Sequence, residues 1–506
     1  MNIKSFKIKK INESTIKLLG TTPETDLEVS EAYTYKIPNF AAMRKNARYK
    51  NWNGKVNLYN RTTKSLDYGH WFDLYTDFTK RGYDIELDES LIPDKKLDKE
   101  ELVKIIDEHI QPRNDSGDLI VPYDYQIDAI HHAIDTDRSV ILSATSSGKS
   151  LIIYCLCWLY INCILEDYDG YVTIIVPDKG LVEQLYSDFH TYSNGESDNW
   201  CQKLNSDYSK IITKKVVIST FQTMIKMDDL IDETSVMIVD EVHRSKAKQL
   251  KTILQLAKQA KYKHGLTGTL DGVEANETLI KGLFGNVVRF VTQRELIDSG
   301  RACDVVVNII GFRYPKDLVD KYNEEWEFSK QTSPHIDKYQ FEVDFINNCK
   351  ERNNMLLDIV EMVEGNSFVL FNRVESHGLK LYEQYKEKHP DSTYLITGDI
   401  KNRKDVLDTF KKDSNSVLFA TSSIMSTGVS VNNLHNLFFA ASQKAKVATL
   451  QSIGRLMRLH DSKSVANVYD IVDIIGKNNV TQKHVDERIK HYESEQIKYT
   501  VTIVDI

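Results

Sequence analysis

The sequence contains no run near the ~18 consecutive apolar residues of a membrane-spanning helix. Its N-terminus, MNIKSFKIKKINE, lacks the apolar stretch a secretory signal needs. Both absences speak against export and membrane contact and predict a cytoplasmic protein. Cysteine is scarce, with six residues at 155, 157, 163, 201, 303 and 349. None has zinc-type spacing with histidines, and a chain this long has no need of a disulfide framework. The three within 155–163 read as small core residues of one apolar helix. There is no low-complexity tract and no short repeat. Positive charge is also in deficit, 65 Lys+Arg against 73 Asp+Glu, and a net −8 taken alone argues mildly against a polyanionic partner.

The charge is unevenly placed, however. Residues 1–64 hold 13 Lys+Arg against 5 Asp+Glu, which leaves −16 on the other 442 residues. Within 36–64 there are eight basic residues and no acidic one. The 41% hydrophobic and 27% charged content is that of a globular protein, and 506 residues suggest about three domains.

Period-two alternation in KSFKIKKI and KVNLYN makes residues 1–90 look β-rich at first. LDKEELVKIIDEHI (97–110) has the spacing of an amphipathic helix, and the turn-rich 111–122 reads as a linker. Short apolar runs then alternate with helical stretches: SVILSA (139–144), VTIIVP (172–177), VVIST (216–220) and VMIVD (236–240). A second series follows: SFVLF (367–371), TYLITG (393–398), SVLFAT (416–421), NLFFAA (436–441) and ANVYDIVD (466–473). Unbroken apolar runs suit strands buried on both faces of a parallel sheet, so two successive α/β domains are expected. The expected divisions are 1–110, a small basic domain; 111–305; and 306–506, closing in a helical extension. The polar stretch 313–350 is expected to be a helical insertion or a hinge-flanking segment.

SVILSATSSGKS (139–150) is a strand, a loop and a helix start. Backbone N–H groups of such a loop face phosphate oxygens. Lys149 is placed for the β- and γ-phosphates of ATP and the Ser150 hydroxyl for Mg²⁺. The first glycine of the usual pattern is replaced by Ser143. Downstream, VMIVDEVHRS (236–245) ends an apolar strand in two carboxylates. Asp240 is placed to hold Mg²⁺, largely through water, and Glu241 to orient and deprotonate the attacking water. In LQSIGRLMRLH (450–460), Arg455 and Arg458 are three apart and expected to share one helix face. Behind Gln451, they are what a second domain would use to complete an ATP site.

In that order, ATSSGKS, DEVH, TGT and QSIGRLMR resemble motifs I, II, III and VI of helicase superfamily 2, and the resemblance covers about 120–475. It implies two tandem RecA-like parallel-sheet domains behind a small α+β N-terminal domain. Tyr125 and Gln126 resemble the adenine-reading Q motif. Thr145, Ser146, Ser147, Gly148, Lys149 and Ser150 form the nucleotide loop, with Gly428 of motif V beside the nucleotide. Pro177 (motif Ia), Thr220 (Ic), Arg373 (IV) and Thr421 (V) are implied to meet nucleic-acid backbone. Thr267 and Thr269 (III) couple nucleotide to strand. Motif V has Ser430 where an acidic residue or Asn is usual.

Over its whole length, including FAAMRKNARYKNWNGKVNLYN and VYDIVDIIG, the chain is similar to UvsW-type phage recombination-repair helicases. That likeness implies ATP-dependent unwinding of branched DNA and RNA–DNA hybrids in recombination, repair and fork processing. The same likeness implies single-stranded DNA as a further substrate, allows other recombination or replication proteins as partners, and, for a phage-encoded chain, implies a host cytoplasm as the compartment. A double-strand translocase without strand separation, an RNA helicase and a scaffold with a dead ATPase are the rival readings.

The basic segment supplies a separate candidate. Arg44, Lys45, Arg48, Lys50, Lys55 and Arg61 interleave with Tyr49, Trp52 and Tyr59. Cations neutralise phosphates and aromatics can stack on unpaired bases. Trp52 and its neighbours are equally able to form the core of a small β-domain, and Trp52 is expected there more than on a base. Gly54 in NWNG is expected at positive φ in a tight turn.

Overall fold

A computed structural model describes residues 4–37, 40, 50–165, 170–208, 210–244, 247–270, 273–333, 335–398, 403–426, 431–441, 446–476 and 479–506. The chain divides into two compact units, Met1–Val291 and Thr292–Ile506.

The first unit opens with a four-stranded sheet in the order Ser65–Asp67, Thr15–Leu19, Ser5–Asn12, Asp84–Leu87. Alternation decides which side faces in: Phe6 and Ile8 are buried while Lys7 and Lys9 point away from the core. Two helices that the β-rich first impression passes over, Pro23–Ala32 and Trp71–Lys80, complete the small α+β fold. Pro23 starts the first of them, where a missing N–H costs nothing, and the Thr22 hydroxyl accepts from Thr25 N. Gly54 has φ +75 and leads into the strand Lys55–Asn57. Tyr59 is core, its hydroxyl donating to Asp26. Trp52 is not. It is half-buried and outside the hydrophobic cluster, because its indole N–H reaches back 3.0 Å to the Lys55 carbonyl and holds the ring on the turn. Arg44, Lys45, Arg48 and Tyr49 lie outside the described residues.

The same unit contains a sheet of seven strands, all parallel, in the order Val287–Val291, Arg138–Ser143, Tyr262–Thr267, Thr234–Asp240, Tyr171–Val176, Val216–Thr220, Cys201–Leu204. The four predicted runs are there within two residues at each end. Tyr262–Thr267 escapes the apolar pattern because it carries Lys263 and His264, both buried in the strand. Cys163, expected in the core with Cys155 and Cys157, is exposed, since the helix beyond Leu159 widens into a π-turn that brings it to the surface.

The second unit has its own seven-stranded, all-parallel sheet, ordered Thr393–Ile396, Val417–Thr421, Asn366–Phe371, Leu434–Phe439, Val465–Ile474, Asp304–Arg313, Lys498–Asp505. The unit begins ahead of 305. Gln293 donates its amide to Met457 Sδ, and Cys303 N donates to the Met457 carbonyl, which ties the helix Gln293–Asp298 to this unit. Residues 313–350 form the helices Lys316–Thr332 and Lys338–Asn348. The helix Val480–Ser494 is held by a buried Arg488–Asp470 pair at 2.8 Å, and the chain then returns as the edge strand Lys498–Asp505. No helix among the described residues is long and apolar enough to cross a membrane.

Candidate nucleotide and nucleic-acid sites

In the first unit's parallel sheet, sequence-predicted residues sort themselves by strand. Ser143, Thr267 and Asp240 end three adjacent strands, and Pro177 and Thr220 end or follow the next two. All lie at the carboxyl edge, where open α/β sheets bind ligands.

The loop after Arg138–Ser143 is held from three sides. Ser146 and Gly148 adopt φ +67 and +78. A Cβ on Gly148 would sit 2.4 Å from Gln126 Nε2, so glycine is required there for space as well as conformation. Tyr125 Oη and Gln126 Nε2 both donate to the Ser147 carbonyl, at 2.8 and 2.9 Å. The Gln126 carbonyl oxygen meanwhile accepts from Tyr123 N. Ser147 is buried, and its hydroxyl bonds Ser143 Oγ at 2.6 Å. The serine that replaces glycine at 143 thus ties the start of the loop to its end. Lys149 Nζ lies over the loop, donating to the Ser143 and Ala144 carbonyls. Ser150 Oγ is bonded to Tyr192 Oη at 2.9 Å. Nothing in the spacing signals Tyr192, which arrives from a helix 42 residues on.

At the neighbouring strand end, Glu241 has φ +49, a strained conformation for a non-glycine residue. Asp240 Oδ1 accepts from Glu241 N at 2.9 Å. Thr267 Oγ1 lies 3.4 Å from Glu241 Oε2 and 3.0 Å from the Thr269 carbonyl, and His243 Nδ1 bonds the same Thr267 hydroxyl. Motifs II and III are therefore one hydrogen-bonded group. His243 is legible as the last letter of DEVH, although the sequence pattern assigns it no role. Thr269 is buried, and its hydroxyl bonds no group among the described residues.

The strand-contact candidates are less uniform. Pro177 is half-buried. Thr220 is buried with its hydroxyl donating to Thr223 on the short helix Phe221–Met224. Arg373 is exposed and bonded to Gln340, and Thr421 is half-buried with its hydroxyl on Ser423. Lys50 and Lys55 are exposed. Gly428 and Ser430 fall outside the described residues.

One expectation fails in the second unit. The helix Lys446–Leu456 ends before Arg458, so Arg455 and Arg458 do not share a helix face. The end has a cause: the Leu456 carbonyl accepts from buried Lys463 and the Met457 carbonyl from Cys303 N, which takes the acceptors that further turns would use. Gln451 is buried and Arg455 half-buried on that helix.

Mg²⁺ favours one or two carboxylates plus phosphate oxygens and water over an all-protein cage. One hydroxyl (Ser150) and one carboxylate (Asp240) suit that chemistry. Among the described residues no cluster of three or more His, Cys, Asp or Glu offers another metal site.

Two family models match: "Type III restriction enzyme, res subunit" over residues 119–272 and "Helicase conserved C-terminal domain" over 351–460. They fall on the two parallel-sheet units. The chain belongs to helicase superfamily 2. Like other members, this helicase hydrolyses ATP. It is of the UvsW type: it is 28% identical over 486 residues to the ATP-dependent DNA helicase uvsW of Enterobacteria phage T4, covering 91% of this chain and 92% of that one. The crystal structure of T4 UvsW matches over 99% of both chains with TM-score 0.52 and 25% identity. The putative ATP-dependent helicase IRC3 of Saccharomyces cerevisiae is 24% identical, over 71% of this chain and 52% of its own. A Vibrio vulnificus type I restriction-enzyme fragment shares the fold, with TM-score 0.54, 18% identity, and 79% and 71% of the chains covered.

Proposed function

We propose that this helicase unwinds or remodels branched DNA and RNA–DNA hybrids during recombination, repair and replication-fork processing. The observation that carries the reading is similarity to a DNA helicase that extends beyond the motor to nearly the whole chain, front domain included. The basic segment 36–64 in an otherwise acidic protein supports it. A motor that needed only backbone contacts from its RecA-like units would have no use for such an addition.

In this reading Lys149 leaves its loop carbonyls for the β- and γ-phosphates of ATP. Ser150 and Asp240 would hold Mg²⁺, which supplies charge neutralisation to the phosphates. Glu241, braced by Thr267 and His243, takes the proton of the attacking water. Tyr125 and Gln126 hold the loop through Ser147 while facing the adenine side. Arg455 and Arg458 are assigned to the γ-phosphate charge, with Gln451 beside them. Thr267 and Thr269 relay the state of Glu241 toward the strand contacts.

A matched substrate panel tests the reading: a fork, a four-way junction, an RNA–DNA hybrid and an RNA duplex, each with and without ATP. ATP-dependent displacement on the first three and little on the fourth is expected. Equal activity on the RNA duplex would make it an RNA helicase, and ATP turnover without displacement on any substrate would make it a translocase.

A further inference from the structure

Within the second unit, a cavity of about 260 Å³ opens at the carboxyl ends of the strands Asn366–Phe371, Leu434–Phe439 and Val465–Ile474. Its walls include Tyr339, Gln340, Asn347, Asn372, Arg373 and Asp473. Parallel sheets bind ligands at this edge. The volume is below the ~300–1,000 Å³ of sites that enclose a drug-sized molecule, so it suits one ring system and not a whole nucleotide.

The chemistry of the walls narrows the occupant. Asn347 is 3% exposed and contributes its side-chain amide to the cavity wall, while its backbone carbonyl accepts from Asn353 Nδ2 at 3.0 Å. An amide on the wall of a cavity is satisfied by what fills it, whether ligand or water. Asn372 adds a second amide, and the ring of Tyr339, 37% exposed, stands at the rim. Asp473 is no open anion site or free base: Arg352 Nε and Tyr314 Oη already hold its carboxylate at 3.1 and 2.9 Å. Among the described lining residues Arg373 is the one cation, and it is exposed. The buried cation beside Asp473, Arg352, is already engaged by that carboxylate, so a phosphate belongs outside on the exposed Arg373 and an uncharged polar ring inside. The helix that carries Tyr339 and Asn347 is fixed by buried Glu342, which accepts from Val480 N and Thr481 N at 2.8 and 2.6 Å.

We propose that this cavity captures one unpaired nucleobase, with Tyr339 against its face, the Asn347 and Asn372 amides on its edge and Arg373 on the adjoining phosphate. The assignment rests on the nucleic-acid reading above and adds to it a place where a base leaves the stack. It explains why an amide-lined pocket lies beside a residue expected to meet only backbone.

The test compares two 16-nucleotide probes, oligothymidine and the same length of abasic deoxyribose, on the full-length protein. Removing the bases should weaken binding by about tenfold, the scale of one stacked and hydrogen-bonded base. In Tyr339→Ala and in Asn372→Ala, both at exposed positions, that ratio should fall toward about twofold. Asn347→Ser should act likewise if it folds. Arg373→Gln should weaken both probes alike and leave the ratio unchanged. A 5-iodouracil strand should photo-crosslink to the peptide containing Tyr339. An unmoved ratio in both exposed-site variants overturns the pocket, and if single strands still stimulate ATP hydrolysis the motor reading stands. Absence of any strand-stimulated hydrolysis in the parent overturns both.

Discussion

Single residues in this helicase are held by unusual means wherever the chemistry is expected. Lys149 and Glu241 stand at opposite sides of the same edge, one folded onto loop carbonyls and one at positive φ. If Lys149 takes the phosphates as proposed, Lys149→Ala should abolish ATP turnover while DNA binding survives, because the strand candidates stand on other strands. Glu241→Gln should instead bind ATP and fail to hydrolyse it, measured as retained nucleotide in a filter assay. Normal turnover in either variant removes that residue from the mechanism. The positions of Lys149, Asp240 and Glu241 at the sheet's carboxyl edge are legible in the sequence because each stands at or just after the end of an apolar strand. The parts played by Ser143 and Tyr192 are not, since their partners become neighbours only after folding. Burial also sets a pH limit. Burial holds His70 neutral, down to about 4 from an ordinary 6.5, and lowers His264 and His377 to about 3. Each folded value lies below the unfolded one, so the unfolded chain takes up protons first. The stability these histidines contribute is present above pH 6.5 and is lost as pH falls toward 4. Each should cost roughly 1.4 kcal/mol per pH unit in that window. Urea midpoints that stay flat between pH 7 and 5 would contradict this.

At the scale of elements, the strands that sequence pattern missed are informative. Tyr262–Thr267 carries Lys263 in a buried strand because the front domain supplies two of its four partners. Lys263 Nζ donates to the Glu13, Leu254 and Ala257 carbonyls and to Ser14 Oγ, all within 3.0 Å. Arg138, at the start of the phosphate-loop strand, donates to the Glu13 carboxylate and carbonyl and lies 4.0 Å from the Tyr68 ring centroid. The turn between the first two front-domain strands therefore grips the amino ends of the two strands whose carboxyl ends carry Ser143 and Thr267. Cations placed in strands for this purpose break the apolar signature, which is why pattern alone passed over the element. The edge strand Lys498–Asp505 was missed for the opposite reason: it is exposed on almost its whole length and has no buried face to impose alternation. Lys263→Met should destabilise the protein by several kcal/mol, since each orphaned buried acceptor costs about 1–3 kcal/mol. Ser14→Ala removes the hydroxyl that accepts from Lys263 and donates to the Leu254 carbonyl, and should cost about 1 kcal/mol. Thermal unfolding checks both, and a Lys263→Met protein as stable as the parent would show that apolar contact alone holds the front domain.

For the whole molecule, this grip changes how the basic segment has to be tested. Every nucleotide motif lies after residue 122, so deletion of residues 1–95 promises, on sequence grounds, two intact motor units. The structure argues otherwise. Deletion strips Glu13 and Ser14 from Lys263 and Arg138 and uncovers Gly282, whose Cα face is packed against His70. A truncated protein that fails would report damaged packing as readily as weakened DNA binding. Charge reversal separates the two. Lys50 and Lys55 are exposed, and Arg44, Lys45 and Arg48 extend the same run of charge in a segment with no acidic residue. If these side chains neutralise phosphates, each phosphate left without its cation should flatten the slope of log K against log salt by about 0.9 on duplex and about 0.7 on single strands. Reversing Arg44, Lys45 and Arg48 should therefore lower junction affinity steeply at low salt and flatten the slope by roughly two to three units, while the unfolding midpoint stays near the parent's. Reversing Lys50 and Lys55 should add up to about two more. Because charge is screened and packing is not, the parent and the variants should converge at high salt. An unchanged slope with an unchanged midpoint would mean that the front domain is a scaffold, and that junction choice resides in the two parallel-sheet units.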